Sequence, residues 1–379
     1  MPPGKFGKMK DVVFENIFLD ETVLVTGHTG FIGGWLTTWL IYLGAKVVGV
    51  SLEPSTKPSL YELNDLKNYI IDYKKDIRNY AEIESIIKEH KPKFIFHLAA
   101  QPLVLKSYIE PLETFSTNVM GTVNILEIIR NLNSASIFIN FTSDKCYENK
   151  EIGHAHNEND KLGGHDPYSA SKASSEIITN SFRQSFFENQ KNHVCVSTIR
   201  AGNVIGGGDW AENRLIPDCI RHFNKNQNIT IRNPEAIRPW QHVFEPISGI
   251  LLLAYTMAKN PKKFNESWNL GPNSTNITVK EVVEKVIRKW GKGSWKAFDN
   301  NDFELHEANI LKLDSSKIEN KLNWMQCLTI DEAIDYTVQW YKKFIEKNDS
   351  MFNFSIEQIE NYLTKANLLN VQWIEKYHV

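Results

Sequence analysis

The sequence of 379 residues has few cysteines, no excess of positive charge and no long apolar run. Its four cysteines lie far apart, without the paired spacing of a disulfide framework or a zinc site, which predicts reduced thiols in a cytoplasmic protein. The 43 basic and 45 acidic residues leave a net charge of −2, which argues against nucleic acid or an anionic membrane as a partner. The longest apolar run, residues 250–254, is too short to cross a bilayer, and the first 14 residues lack the apolar segment of a signal peptide.

The spacing of the apolar runs predicts an α/β fold. Short strand-like runs alternate with helical patterns at intervals of about 25 residues, and the pattern loosens beyond residue 205. This alternation predicts a Rossmann-type, doubly wound parallel sheet with right-handed crossovers. The chain would then consist of a flexible segment (1–20), the sheet domain (21–205) and a smaller α+β domain (206–379), which binds the substrate and can return a strand or helix to the first domain.

A glycine-rich turn follows the first strand-like run. Gly27, Gly30 and Gly33 are spaced for a tight turn and for the close approach of a pyrophosphate to a helix N-terminus. The turn stands between a strand and a helix, and a second strand follows, which is the context that a dinucleotide site requires. That second strand ends at Ser51, two residues before Glu53, and no arginine stands there to hold a 2′-phosphate, so NAD is favoured over NADP.

Five polar residues with catalytic potential follow a later strand and open a later helix. Ser143, Asp144 and Lys145 come just after the apolar run 137–139, at a strand end where active groups belong in such a sheet. Tyr168 and Lys172 are four residues apart, which places them on one face of a helix. Lys172 would then lower the pKa of the phenol, so that Tyr168 can take a proton from a hydroxyl group. Alone, this spacing is also typical of an ordinary helix start with a solvated lysine.

Residues 148–166, between these two groups, are rich in Asn, Gly, His and charge, which predicts a loop at the active site. The loop contains His154, His156 and His165 without a supporting spacing of acids or cysteines. We therefore interpret them as solvated histidines and expect no metal ion.

Other residues lie where ligands bind in such a sheet. These are Asp76 and Ile77 beside the expected adenine edge, and Ala99 and Ala100, whose small side chains let the backbone lie against a cofactor. Simple tight packing explains the two alanines equally well. Arg214, Arg232 and Arg238 suit the diphosphate of a sugar nucleotide, although any one of them could instead be a surface arginine paired with an acid.

Several segments together resemble the extended short-chain dehydrogenase/reductase family, within it the nucleotide-sugar 4,6-dehydratases, and among those the branch that acts on CDP-glucose. They are 27–31 (GHTGF), 97–104 (HLAAQPLV), 117–122 (TNVMGT), 142–147 (TSDKCY), 163–164 with 166–168 (GG, DPY), 200–210 (RAGNVIGGGDW) and 231–243 (IRNPEAIRPWQHV). The glycine turn and the Tyr-x-x-x-Lys spacing mark only the superfamily, whereas RAGNVIGGGDW and IRPWQH mark the branch. The resemblance runs from about residue 20 to 345.

The resemblance implies transient oxidation at C4 of a hexose, elimination of water across C5 and C6, and return of the hydride to C6. Tyr168, assisted by Lys172 and Ser143, would take the proton of the C4 hydroxyl. Asp144 would protonate the departing C6 hydroxyl, and Lys145 would take the C5 proton, which requires a neutral amine. Alternatively, Lys145 supports Asp144 electrostatically.

The resemblance also implies the residues that contact the ligands. For the cofactor, NAD, they are Gly27, His28, Thr29, Gly30, Phe31, Ile32, Asp76, Ile77, Leu98, Ala99, Ala100, Thr117, Tyr168, Lys172 and Val204. For the substrate they are Gln101, Asn203, Arg214, Leu215, Ile216, Arg232, Arg238, Asn269 and His306. Asn203, Arg232 and Arg238 would bind the pyrophosphate, whereas residues 214–216 would border the base and its ribose.

The chain departs from the CDP-glucose branch at three places. Ile32 stands where a lysine is usual, Leu105 stands where an arginine is usual, and residues 152–157 (IGHAHN) replace an aromatic run. Because that loop is predicted to cover the active site, the identities of the hexose and the nucleotide stay open. The residues for hydride transfer and elimination are all present.

Two other functions fit parts of the sequence. A nucleotide-sugar 4-epimerase or reductase needs the tyrosine and the lysine but no acid/base pair after the serine, so Asp144 and Lys145 argue against it. A catalytically idle dinucleotide-binding protein commonly lacks the tyrosine or the lysine, and both are present here.

The resemblance finally implies a homodimer, in which each subunit contributes two helices to a four-helix bundle. The matching helices, at about residues 112–132 and 168–188, both carry apolar stripes. The expected partners are therefore a second copy of the chain and a nucleotide sugar, most directly a CDP-hexose.

Overall fold

The computed structural model describes residues 12–132, 134, 136–188, 194–261, 263–273, 276–298, 308–346 and 350–375. The strands are β1 (Val12–Val13), β2 (Thr22–Thr26), β3 (Lys46–Ser51), β4 (Ile71–Lys74), β5 (Phe94–His97), β6 (Ser136–Phe141), β7 (Val194–Ala201), β8 (Val204–Ile205), β9 (Ile229–Ile231), β10 (Gln241–His242), β11 (Ser267–Leu270), β12 (Trp295–Ala297) and β13 (Ile374–Glu375). The α-helices are α1 (Phe31–Tyr42), α2 (Leu60–Leu63), α3 (Tyr80–His90), α4 (Val104–Ile109), α5 (Pro111–Phe115), α6 (Gly121–Arg130), α7 (Pro167–Phe182), α8 (Leu215–Asn224), α9 (Phe244–Lys259), α10 (Val279–Trp290), α11 (Ser316–Leu322), α12 (Ile330–Glu346) and α13 (Met351–Leu368).

The predicted Rossmann-type sheet is confirmed. Within the described part of the chain, seven strands form a parallel sheet in the order β11-β7-β6-β5-β2-β3-β4. The chain moves outward from β2 in both directions, so β2 and β5 flank the point at which the strand order reverses. Ligands bind at that point, beyond the carboxyl ends of the strands, in sheets of this kind.

The sheet is buried on both faces because its strands are apolar on both sides. In β2, Val23 and Val25 belong to one hydrophobic cluster and Leu24 to the other, and all three are fully buried. Successive side chains of a strand point to opposite faces, so each face needs its own covering layer. Helix α3 packs against α6 in one layer, whereas α1 packs against α9 and α13 in the other.

The C-terminal part of the chain contributes both to the sheet and to a smaller lobe. Its strand β11 pairs with β7, so the sheet is completed from beyond residue 205. Strands β9 and β12 pair separately, and helix α8 packs against α10 beside them. None of the described helices combines the length and the apolar character needed to span a membrane.

Residues 12–20 belong to the folded body, so the prediction of a flexible segment up to residue 20 is wrong in its second half. Strand β1 pairs with β13, and Phe14 stacks on Trp373 with ring centroids 4.9 Å apart. Phe14 and Phe18 are buried, since aromatic rings of this size gain from leaving water. Residues 1–11 lie outside those that the structure describes.

Two helices that shape the site each contain a π-helical segment. Helices α5 and α6 are joined through Ser116–Met120, and α7 continues through Arg183–Phe187. The helices predicted at 112–132 and 168–188 are therefore present, each with one wider turn. A π turn inserts an extra residue and shifts the side chains that follow, which is frequent at functional sites.

Candidate active site

Most of the predicted site residues gather around one cleft of about 1270 Å³ at the carboxyl ends of the sheet strands. Turns after β2, β5, β6 and β7 form one wall, and residues from the smaller lobe, beginning at Asp209, form the other. A cleft of this size, between two lobes and at the reversal of strand order, is where a nucleotide ligand is expected.

The glycine turn is shaped to receive a phosphate group. Gly27 has a φ of +78°, and a Cβ there would lie 2.7 Å from the backbone nitrogen of Ala99. A Cβ on Gly33 would lie 2.1 Å from the carbonyl oxygen of Gly27. Gly30 precedes helix α1, and no side chain of the described residues caps that helix. The open N-terminus of α1 therefore faces the cleft beside bare backbone, which fits the pyrophosphate of a dinucleotide.

The predicted adenosine end of the cleft is polar. Ser51 and Glu53 line it, and the hydroxyls of Ser51 and Thr29 are hydrogen-bonded at 2.7 Å. Asp76 and Ile77 also line the cleft, as predicted. Hydrogen bonds from the neighbouring arginine lower the pKa of Asp76 and so keep its carboxylate ionised.

His28 does not line the cleft, although it lies in the glycine turn. Its side chain is fully buried, and its Nε2 is 2.8 Å from Oδ1 of Asp72. Its ring fills the space beside Gly49, where a Cβ would lie 2.7 Å from it. The cofactor contact predicted for His28 stays a prediction, and the side chain of this histidine joins the glycine turn to β3 and β4 from behind.

The catalytic candidates after β6 form one short turn. Ser143 begins a 3₁₀ turn, Asp144–Cys146, and its Oγ accepts a hydrogen bond from the backbone N–H of Lys145. The same hydroxyl donates to Oδ1 of Asp144 at 3.0 Å. Oδ2 of Asp144 is buried without a hydrogen-bond partner among the described residues. This carboxylate thus keeps an oxygen available for a ligand, which a buried polar atom normally needs.

Lys145 lies at the cleft edge, with Nζ 4.0 Å from Oδ1 of Asp144 and 29% of its side chain exposed. The distance permits a weak ion pair and leaves the amine free to reorient. Both interpretations of Lys145 made from the sequence, base or electrostatic support, therefore fit its position.

Tyr168 and Lys172 lie on the buried face of α7, whose start is fixed by Pro167 and by the N-cap carboxylate of Asp166. Burial raises the pKa of Tyr168 to about 12, against an opposing hydrogen bond with Ser143. Burial also lowers the pKa of Lys172 to about 8. The Nζ of Lys172 donates a hydrogen bond to the carbonyl oxygen of Phe141, the last residue of β6, at 3.2 Å. The predicted lowering of the phenol pKa is therefore not found without ligands, because the dry environment disfavours the phenolate more strongly.

A buried network supports the catalytic turn from beneath. Arg200 donates to Glu176 at 2.7 Å and to the hydroxyl of Tyr147 at 2.8 Å, and Thr142 donates to the other oxygen of Glu176. Tyr147 in turn donates to Oδ1 of Asn269 at 2.7 Å. Asn269 is fully buried and does not line the cleft, so its predicted substrate contact is wrong. Its amide instead positions Tyr147, which does line the cleft.

Removing one partner of the Glu176–Arg200 ion pair should destabilise the fold strongly. Their side chains are only 1% and 4% exposed, so Arg200→Met leaves a buried carboxylate without its counter-charge. We expect the free energy of unfolding, measured in urea, to fall by about 3–5 kcal/mol. The matched control is the exposed pair Lys280–Glu235, where Lys280→Met should leave the free energy of unfolding nearly unchanged. Equal effects of the two changes would contradict the role of the network.

Most of the remaining predicted residues line the cleft. They are Thr29, Phe31, Ile32, Leu98, Ala99, Ala100, Gln101, Thr117, Asn203, Val204, Arg214, Leu215, Ile216, Arg232 and Arg238. His306 lies outside the described residues. Two lining residues, Asp209 and Trp240, were not predicted, although both lie within the segments RAGNVIGGGDW and IRPWQH. Nη1 of Arg214 donates a hydrogen bond to the carboxylate of Asp209 at 2.9 Å, so Asp209 orients that arginine.

The prediction that the loop histidines are solvated is wrong for His156, whereas His154 and His165 are exposed. His156 is mostly buried and stacks on Tyr147, with ring centroids 4.8 Å apart. Both His154 and His156 lie within hydrogen-bond distance of the Asp160 carboxylate. The sequence shows this acid four residues after His156, which is the signal that the prediction overlooked.

The chain matches known proteins along most of its length. The family description GDP-mannose 4,6 dehydratase matches residues 24–337. A CDP-glucose 4,6-dehydratase from Salmonella typhimurium is 43% identical over 357 residues, covering 93% of this chain and 99% of that protein. A dTDP-glucose 4,6-dehydratase from Bacillus anthracis, solved with NAD, superposes with a TM-score of 0.70 at 24% identity, covering 86% of this chain and 98% of that one. A UDP-glucose 4-epimerase from Thermotoga maritima, solved with UDP-glucose, gives a TM-score of 0.73 at 23% identity, with coverages of 86% and 99%.

Proposed function

Because the chain belongs to the GDP-mannose 4,6-dehydratase family, we propose that it converts CDP-glucose into CDP-4-keto-6-deoxyglucose by removing water. The assignment of CDP-glucose as the substrate is supported by the 43% identity to a CDP-glucose 4,6-dehydratase over 93% of the chain. The assignment of the reaction is supported by the presence of five candidate catalytic residues in one cleft: Ser143, Asp144, Lys145, Tyr168 and Lys172.

NAD fits the glycine turn, where Gly27 and Gly33 leave no room for a side chain and α1 presents its N-terminus. When bound, this cofactor accepts the hydrogen that leaves C4 of the sugar and supplies the one that is added at C6. Ser51 and Glu53 are the neutral and acidic groups nearest the expected ribose, which favours NAD over its 2′-phosphorylated form.

Tyr168 takes the proton of the C4 hydroxyl. Its phenol is buried in the cleft, and Ser143 lies within hydrogen-bond reach of it. The raised pKa in the free protein means that the phenolate must be favoured by positive charge when ligands are bound. Lys172, one turn away on the same helix face, supplies part of that charge.

Asp144 and Lys145 carry out the elimination. A ketone at C4 makes the C5 hydrogen acidic, so a base at C5 and an acid at the C6 oxygen suffice to expel water. Asp144 has one oxygen held by Ser143 and one without a described partner, which suits it to donate a proton to the C6 hydroxyl. Lys145 is partly exposed at the same edge and takes the C5 proton as a neutral amine, or else stabilises Asp144.

The smaller lobe holds the nucleotide. Arg232, Arg238 and Asn203 line the far part of the cleft and are suited to bind the two phosphates. Arg214 is oriented by Asp209, and residues 214–216 border the place of the base and its ribose. The proposed nucleotide site thus lies mainly beyond residue 205, with Asn203 just before it.

Incubation with a panel of nucleotide hexoses tests this function. With CDP-glucose we expect a 4-keto-6-deoxy sugar, and we expect less with dTDP-glucose and GDP-mannose. A panel in which CDP-glucose gives no keto product would refute the assignment of the substrate.

A nucleotide-sugar 4-epimerase is the second candidate, because solved epimerases share the fold. That likeness is at 23% identity and concerns the fold alone. The acid and amine that directly follow Ser143 favour the dehydratase.

The subunit is proposed to form a homodimer through α5, α6 and α7. Large apolar side chains are exposed on α5, on α7 and on the segment that joins α5 to α6: Leu112 (86%), Ile177 (56%) and Met120 (52%). Helices α5 and α7 pack against each other, so the two could present one joint surface to a second copy. Apolar area of this kind marks protein interfaces.

A charge on that surface should weaken the dimer. We expect light scattering to give twice the subunit mass of 43.6 kDa for the unaltered protein. Leu112→Arg should raise the dimer dissociation constant by at least about tenfold, because a buried contact would become a desolvated charge. Leu368→Arg, at a similarly exposed leucine on α13, serves as the control. A single-subunit mass for the unaltered protein would refute the dimer.

We also propose a cytoplasmic location. All four cysteines are free thiols buried in the fold. Burial raises the pKa of the Cys195 thiol to about 11, so it stays protonated and unreactive. Stable buried thiols are typical of reducing compartments.

A further inference from the structure

Three potential metal ligands converge in the loop between the catalytic turn and α7. Nε2 of His154 is 2.6 Å from Oδ2 of Asp160, and Nδ1 of His156 is 3.1 Å from the same oxygen. The three ligand atoms lie within 4.8 Å of one another. They are separate from the proposed catalytic residues, and nothing in the proposed reaction uses them.

Two imidazoles and one carboxylate form a donor set that binds zinc in proteins, with water completing a tetrahedron. Bonds of about 2.0–2.1 Å place ligand atoms roughly 3.3 Å apart, so any one separation here needs to change by at most about 1.5 Å. His154 is 49% exposed and Asp160 is 25% exposed, which leaves a path for an ion and a position for water. The present hydrogen bonds show that all three groups already face one point.

We propose that His154, His156 and Asp160 bind a divalent transition-metal ion such as Zn²⁺.

Two of the three ligands are held in place by the surrounding structure. The His156 ring stacks on Tyr147 with an angle of 4° between the planes, and its carbonyl oxygen accepts a hydrogen bond from Asn269. The Asp160 carboxylate accepts hydrogen bonds from the backbone and side chain of Asn157. Groups that orient a ligand in this way raise metal affinity by reducing what must be ordered upon binding.

The ion would fasten the loop that borders the cleft. Residues 161–166 follow Asp160 directly and line the cleft, and Tyr147, on which His156 stacks, lines it beside them, since Tyr147 and Leu162 form an antiparallel β-bridge. Binding of the ion therefore holds the loop against this part of the cleft wall. Its role is to hold the loop, so it can be measured without any turnover.

The test uses the full chain without a histidine tag, freed of metal by a chelator. Titration with Zn²⁺ should show one ion bound per chain, and Co²⁺ should give the visible absorption of a four-coordinate site. His154→Ala and Asp160→Asn should each weaken Zn²⁺ binding at least about tenfold and abolish that absorption. The control His90→Ala removes a histidine that lies outside the loop and should leave binding unchanged.

Protection of the loop gives a second measurement. Zn²⁺ should slow limited proteolysis between residues 148 and 166 in the unaltered protein and not in His154→Ala, whose exposed side chain can be removed without disturbing the fold. Absence of stoichiometric binding by the unaltered protein would overturn the proposal. So would affinity and protection that do not change in His154→Ala and Asp160→Asn.

Discussion

Replacing Tyr168 by phenylalanine is expected to lower kcat for CDP-glucose by about 100- to 10,000-fold. The ring would still fill its buried place, since the two side chains differ only by the hydroxyl. What disappears is the group that takes the C4 hydroxyl proton, and without that step neither elimination nor hydrogen return can follow. KM should change much less, because the nucleotide is proposed to bind mainly to the smaller lobe.

The control for this change is Tyr255→Phe, a tyrosine paired with Glu15 far from the cleft, which should keep full activity. The pH dependence adds a second test. In the proposed mechanism Tyr168 works as the phenolate, so kcat should fall as the pH decreases, and Lys172→Met should move that fall to higher pH. Unchanged kcat in Tyr168→Phe would remove the phenol from the mechanism.

The double change Asp144→Asn with Lys145→Ala should separate oxidation from dehydration. We expect formation of the keto-deoxy product to fall by about 100- to 10,000-fold, since both proton transfers at C5 and C6 are lost. Oxidation at C4 should stay measurable, because Tyr168 and Lys172 are untouched. Normal dehydration by this variant would refute the assigned roles.

Single changes distinguish the two roles of Lys145. If Lys145 is the C5 base, Lys145→Arg is as inactive as Lys145→Met, since a guanidinium does not give up its proton at neutral pH. If it only supports Asp144, Lys145→Arg keeps most of the activity, because the positive charge stays 4.0 Å or so from that carboxylate. Exchange of the C5 hydrogen with solvent is the measurement that separates the two cases.

The sequence predicted the parallel sheet well because its evidence is local. Strand-like runs such as β2 and β6 are short and apolar on both faces, and each is followed by a helical pattern. The residues at their carboxyl ends, Ser143 among them, could therefore be placed at the cleft. Strand β11 joins the edge of this sheet from more than 60 residues beyond β7, a pairing that local patterns do not encode.

The sequence did not reveal interactions that depend on distant partners. His28 lies within the cofactor turn, yet its partner Asp72 draws the ring to the rear of the sheet. Asn269 was predicted to touch the substrate, whereas it holds Tyr147 from within the core. The pKa of Tyr168 was expected to fall beside Lys172, and burial, which no local motif reveals, raises it instead. The direction of a side chain and the depth of its burial depend on the tertiary structure, so short sequence motifs do not predict them.

The most direct test of the central claim follows one hydrogen atom. CDP-glucose deuterated at C4 should give CDP-4-keto-6-deoxyglucose that carries the deuterium at C6, since the hydrogen removed from C4 is added again two carbons away. Recovery of a sugar with the deuterium still at C4, or a keto product without deuterium at C6, would contradict the account.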